Sequence, residues 1–117
     1  MNFINPYFTE KEKIDALQRW ILVQSFLYYE TDLQLVTDKV YDDNCKQLVG
    51  YQNEFRKAFK SSMYYYVFHD FDGSTGFDLY YRLNKEDKER LDLYIGNILY
   101  RNGGVKTNGK SKKKKNR

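Results

Sequence analysis

Six side chains suited to ligand chemistry fall within fifteen consecutive residues: Tyr28, Tyr29, Asp32, Asp38, Tyr41 and Asp42. Asp38, Tyr41 and Asp42 stand at i, i+3 and i+4, so on a helix they share one face. Tyr28 and Tyr29 close the preceding apolar-periodic segment, and a short connection would fold the two helix ends against each other. Aromatic rings stack on a planar group and attract its positive charge. Ionised carboxylates accept the stronger, charge-assisted hydrogen bonds from hydroxyls or a carboxamide. Three tyrosines beside two carboxylates therefore suit a planar, cationic, hydroxyl-bearing ligand, and a nicotinamide riboside group has all of these features.

The elements that must position these residues are legible from periodicity and caps. Thr9 and Glu12 have capping-box spacing, which predicts a helix over about Glu10 to Tyr29. Ile14, Leu17 and Ile21, with Trp20, Val23 and Leu27 beside them, give that helix a wide apolar face. Thr31 to Thr37 is a short connection. Thr37 is a suitable N-cap and Asp38 complements the helix dipole, so a second helix is expected from Asp38 to about Phe59, with Tyr41, Cys45, Leu48, Phe55 and Phe59 as its stripe. Two such helices form an antiparallel hairpin. Met63 to Phe68 reads as a short strand, and Asp70 to Gly76 as a loop. Thr75 would cap a short helix through Leu83. Asn84 would cap a last helix from Lys85 to Arg101, with Leu91, Ile95, Ile98 and Leu99 inward and Gly103-Gly104 ending it. The expected fold is mainly α: a helical hairpin and a C-terminal helix around a short strand or loop insert.

Charge divides the chain unevenly. The net charge is +4, yet eight of the 20 basic residues and none of the 16 acidic ones fall in 101–117, which leaves residues 1–100 at −4. We expect one helical domain over 1–101 and a disordered basic tail over 102–117, whose Lys110–Arg117 stretch offers weak, salt-sensitive contact to nucleic acid. Twelve tyrosines and eight phenylalanines let so short a chain build a core. No run of about 18 apolar residues or secretory pattern occurs, so a cytoplasmic chain with no membrane contact is expected. Cys45 reads as buried core and His69 as a surface residue, and neither has the companions of a metal site. Asp70, Asp72 and Asp78 begin like a calcium loop but lack its later ligands, so Asp70–Gly76 reads as an ordinary structured loop.

The run from Tyr28 to Asp42 resembles the N-terminal Ia domain of NAD-dependent DNA ligases. Its signature is a Tyr followed by Tyr or His, then Asp, then a Ser-Asp-x-x-Tyr-Asp run at fixed distance. All six positions match in register, with Thr37 in place of Ser and Gln34 in place of a frequent Pro, and the likeness covers about residues 10–58. It implies a small helical module that binds the nicotinamide mononucleotide (NMN) half of NAD. Tyr28, Tyr29 and Tyr41 would then form the nicotinamide wall, Asp38 and Asp42 would hold the ribose and ring side, and Asp32 would shape the loop. Phe71 to Leu79 is similar, more faintly, to small phage or prophage proteins related to ligases, which would place the chain in a bacterial or phage-infected cell. The ligase nucleophile is the lysine of a Lys-x-Asp-Gly motif, whereas Asp70-Phe71-Asp72-Gly73 carries Asp there, and 117 residues leave no room for the other ligase domains. The expectation is a binding module for NMN or NAD that is not itself an enzyme. The alternative is a phage-type protein that keeps the hairpin only as a scaffold and binds a protein partner or serves nucleic acid as an accessory.

Overall fold

A computed structural model of the chain describes residues 7–31, 33–74 and 76–102. Among the described residues five α-helices and one 3₁₀ turn follow in the order α1 Glu10–Glu30, α2 Asp38–Glu54, α3 Arg56–Lys60, α4 Tyr65–Phe68, the 3₁₀ turn Tyr80–Arg82 and α5 Lys85–Arg101. The fold is mainly α, and no strand occurs among the described residues. Two compact units form, one from the described residues of 1–21 and Val36–Ser74, the other from those of Leu22–Leu35 and 75–117.

The caps act where the sequence places them. The Thr9 N–H donates to Glu12 Oε1 at 2.9 Å, and the Glu12 N–H donates to Thr9 Oγ1 at 3.1 Å. These bonds hold the Glu12 carboxyl below its ordinary pKa. Thr37 Oγ1 accepts from the Val40 N–H at 3.2 Å, and Asn84 Oδ1 from the Asp87 N–H at 2.8 Å. Each satisfies a donor that the first helical turn leaves without an intrahelical partner. At the far end of α5 the Asn102 side chain donates to the Ile98 carbonyl at 2.7 Å. Gly103 and Gly104, expected to end that helix, lie outside the described residues, as do Asp32, Thr75 and the tail over 103–117.

In the first unit, Ile14, Leu17 and Ile21 of α1 are fully buried, as are Leu48 of α2 and Val67 and Phe68 of α4. Cys45 is also buried. Trp20, expected inside, is only half-buried, and so is Phe55. The second helix stops earlier than its periodicity predicts. Phe55 leaves the helical region at φ −113° and ψ 57°, while its N–H still reaches the Tyr51 carbonyl at 2.7 Å, so the expected helix to Phe59 is two helices, α2 and α3. The Phe55 and Tyr51 rings stay 5.5 Å apart across this break.

The predicted strand over Met63–Phe68 is a helical turn instead. The backbone donors that precede it are met by α1 side chains and not by a neighbouring strand. Asp15 Oδ1 accepts the Met63 N–H at 2.7 Å, and Gln18 Oε1 accepts the Tyr64 N–H at 3.1 Å. The Gln18 amide also donates to Ser62 Oγ at 2.9 Å, and that hydroxyl donates on to the Phe59 carbonyl at 2.6 Å. Tyr64, Val67 and Phe68 are the buried members, which is helical spacing and not alternation. The loop after α4 rests on α2. Gly73 has φ +88°, and a Cβ there would stand 3.3 Å from Val49 Cγ2. Gln52 Nε2 donates to the Phe71 carbonyl at 3.3 Å.

In the second unit, α1 contributes Leu22, Val23 and Leu27, fully buried, and α5 contributes Leu91 and Ile95. Ile98 and Leu99 of α5 are half-buried. The short helix expected through Leu83 shrinks to the 3₁₀ turn, with Leu79 and Leu83 buried on either side of it.

Replacing Gln18 by Ala leaves the Tyr64 N–H and the Ser62 hydroxyl without their buried partner, at about 1–3 kcal/mol for an unsatisfied buried group. The expected outcome is a lower urea midpoint at unchanged slope, whereas Thr37→Ala should cost only about 1 kcal/mol.

Candidate functional site

The five expected ligand residues divide between the two units. In the first, α2 carries Asp38, Tyr41 and Asp42 on neighbouring turns directly after the Thr37 cap. Asp38 and Asp42 are exposed, and Tyr41 is buried at 6% exposure. Lys39 and Asp43, one position along the helix from each acid, form an exposed ion pair at 2.8 Å. The hydrogen bond between them holds the Asp43 carboxyl below and the Lys39 ammonium above their ordinary pKa values. The surface of this helix start therefore combines a fixed ion pair with two further carboxylates.

In the second unit, Tyr28 and Tyr29 end α1. Their rings meet edge to face at 5.1 Å, and Phe77 approaches the Tyr29 ring at 6.2 Å. Tyr29 is buried at 2% exposure and Tyr28 is half-buried, so Tyr28 is the more exposed member of the pair. Among the described residues of the connection, Thr31 fixes the turn. Its hydroxyl donates to the Leu27 carbonyl at 2.6 Å and accepts from the Leu33 N–H at 3.0 Å.

Sequence reasoning missed a second cluster, in the same unit. Tyr80 donates its phenolic hydrogen to Asp92, and Tyr81 donates to Glu30. The Lys88 ammonium sits over both rings, 5.3 Å from the Tyr80 centroid and 5.9 Å from that of Tyr81. Phe26 packs on Tyr80 at 4.7 Å. Burial first, then the hydrogen bond to Asp92, pushes the Tyr80 phenol well above its usual range. Burial and then Glu30 push Tyr81 up to about 12. The available signal was the i, i+4 spacing of Lys88 and Asp92 on one helix face, with Tyr80 and Tyr81 just upstream of the Asn84 cap. Neither phenol is poised to ionise near neutral pH, so this cluster anchors the end of α1 to the 3₁₀ turn and α5.

The Asp70–Gly76 segment is a structured loop through its described residues. Asp72 Oδ1 accepts from the Ser74 N–H at 2.9 Å and from Ser74 Oγ at 2.6 Å, which lowers the Asp72 pKa. Among the described residues no group of three His, Cys, Asp or Glu side chains is placed to hold a metal ion. No helix among them is long and apolar enough to cross a membrane. His69 is exposed, with its ring 6.2 Å from that of Tyr65.

Three comparisons with known proteins bear on this site. No protein-family model, no curated protein and no solved structure matches the chain.

The tyrosine cluster makes stability depend on alkaline pH. Both phenols have folded pKa values above the ordinary 10.0, so the folded state holds its protons where the unfolded chain releases them. The stability they contribute is complete below about pH 10 and declines as pH rises from there toward 12. Denaturation midpoints between about pH 9 and about pH 11.5 should fall more steeply for the wild type than for a Tyr80→Phe, Tyr81→Phe double variant.

Proposed function

We propose that this chain is a stand-alone binding module for NMN or the nicotinamide half of NAD, and that it does not join nucleic acid by itself. The observation that carries the reading is the in-register set Tyr28, Tyr29, Asp32, Asp38, Tyr41 and Asp42, which resembles the Ia domain of NAD-dependent DNA ligases. The exposed carboxylates of Asp38 and Asp42, one turn apart after a capped helix start, support it. They can accept hydrogen bonds from ribose hydroxyls or the carboxamide, while the tyrosines supply rings for a cationic pyridinium. Tyr41 and Tyr29 expose little of their rings, so of the three Tyr28 is the one that offers a ring to the ligand. Asp70, in place of the ligase lysine, cannot form a lysyl adenylate, which supports binding without catalysis.

A second reading, docking of a protein partner, is supported by α5, which leaves Leu93 74% and Tyr100 83% exposed. Such a partner would be retained by the aromatic surface whether or not a nucleotide is bound.

Calorimetric titration of the full chain with NMN, NAD and AMP in parallel tests the first reading. NMN and NAD should bind and AMP should not. Asp42→Asn should weaken NMN at least about tenfold, the scale of one hydrogen bond to a charged group, without lowering the melting temperature, because the side chain is exposed. No heat with any of the three nucleotides would leave the protein-partner reading in possession.

A further inference from the structure

The first unit carries a surface that the nicotinamide reading does not use. Residues 55–69 contain three cations, Arg56, Lys57 and Lys60, and no acid. All three cations are exposed, and among the described residues none of them pairs with a carboxylate. They lie within about 100° of arc on α3, whose buried residue is Phe59. Arg56 and Lys60, at i and i+4, stand about 5–6 Å apart at Cβ. The same stretch exposes two flat or polarisable side chains, Met63 at 46% and Tyr66 at 39%.

This surface is held in shape from beneath. The Phe59 ring meets Tyr65 edge to face at 4.9 Å, and Tyr65 lies 6.2 Å from His69, which ties α3 to α4. The turn between them is pinned by the Ser62 hydroxyl on the Phe59 carbonyl and by Asp15 on the Met63 N–H. Asp15, the carboxylate nearest this turn, is itself paired with Lys11 at 2.6 Å. Exposed cations and an exposed ring on one short stretch are what a flexible polyanion with stackable bases requires.

We infer that Arg56, Lys57 and Lys60, with Tyr66 and Met63, form a binding surface for single-stranded nucleic acid. The cations take the phosphates, and Tyr66 stacks on a base. This surface belongs to the first unit and uses none of the residues of the lysine-rich stretch 110–117. It is independent of the nicotinamide reading.

Fluorescence anisotropy of a labelled oligothymidylate with the full chain tests it, with the matching duplex as a second probe. A neutralised Arg56→Gln, Lys57→Gln, Lys60→Gln variant should bind about tenfold more weakly at low salt. Its dependence of log affinity on log salt should be shallower by about 2, since each phosphate contact to a single strand contributes roughly 0.7. Tyr66→Ala should lose about tenfold at unchanged salt slope, and the duplex should bind less well than the single strand. Neutralising Lys112 to Lys115 in the full chain should leave most of the single-strand affinity. Unchanged melting temperatures would show that the exposed substitutions leave the fold intact. The proposal is overturned if the triple variant binds as the wild type does, if the Lys112–Lys115 variant alone abolishes binding, or if duplex and single strand bind equally and Tyr66→Ala has no effect.

Discussion

The arrangement of the first unit depends on two polar side chains of α1, Asp15 and Gln18. Both are buried, at 8% and 0% exposure, on a helix whose neighbouring positions Ile14 and Leu17 are fully apolar. A buried amide or carboxylate is tolerated only when its hydrogen bonds are made. Asp15 and Gln18 meet that demand by accepting the Met63 and Tyr64 N–H groups, which no helix or strand would otherwise satisfy. The need is mutual, and it sets where the chain turns after α3. That turn in turn fixes α4, the Phe59–Tyr65 contact and the exposed α3 cations.

The second unit uses the same device with aromatic donors. Tyr80 and Tyr81 each give a phenolic hydrogen to a carboxylate, and Lys88 lies over their rings. These contacts join the Glu30 end of α1 to the 3₁₀ turn and α5. They explain why a chain with 12 tyrosines is not simply a greasy core. Each ring buries apolar area, and each hydroxyl makes a directed link. The Tyr28–Tyr29–Phe77 contacts extend this aromatic packing to the residues proposed for the nicotinamide wall.

Much of the helical framework was legible in the sequence because its signals are local. Thr9, Thr37 and Asn84 announced three helix starts, and the apolar spacing gave the inner faces of α1 and α5. The signals that failed depend on contacts distant in sequence. Tyr64, Tyr65 and Tyr66 favour a strand by type, and only Asp15 and Gln18, more than forty residues earlier, turn the following segment into a helix. The break at Phe55 carries no Gly or Pro at the site, so its periodicity reads as continuous. Of the candidate site, the capped start of α2 and the exposure of Asp38 and Asp42 follow from local pattern. The burial of Tyr41 follows from its place on the α2 stripe, whereas the burial of Tyr29 and the Glu30–Tyr81 link across fifty-one positions are tertiary and had no sequence signal.

Side chains of α1, and not a strand partner, hold the segment after α3. Amide hydrogen exchange of Met63 and Tyr64, followed residue by residue by NMR, tests it most directly. Both amides should be protected comparably to the core amides of α1, and Gln18→Ala should remove the protection of Tyr64 first. Exchange of both amides at the rate of an unstructured chain, while α1 and α2 remain protected, would contradict it.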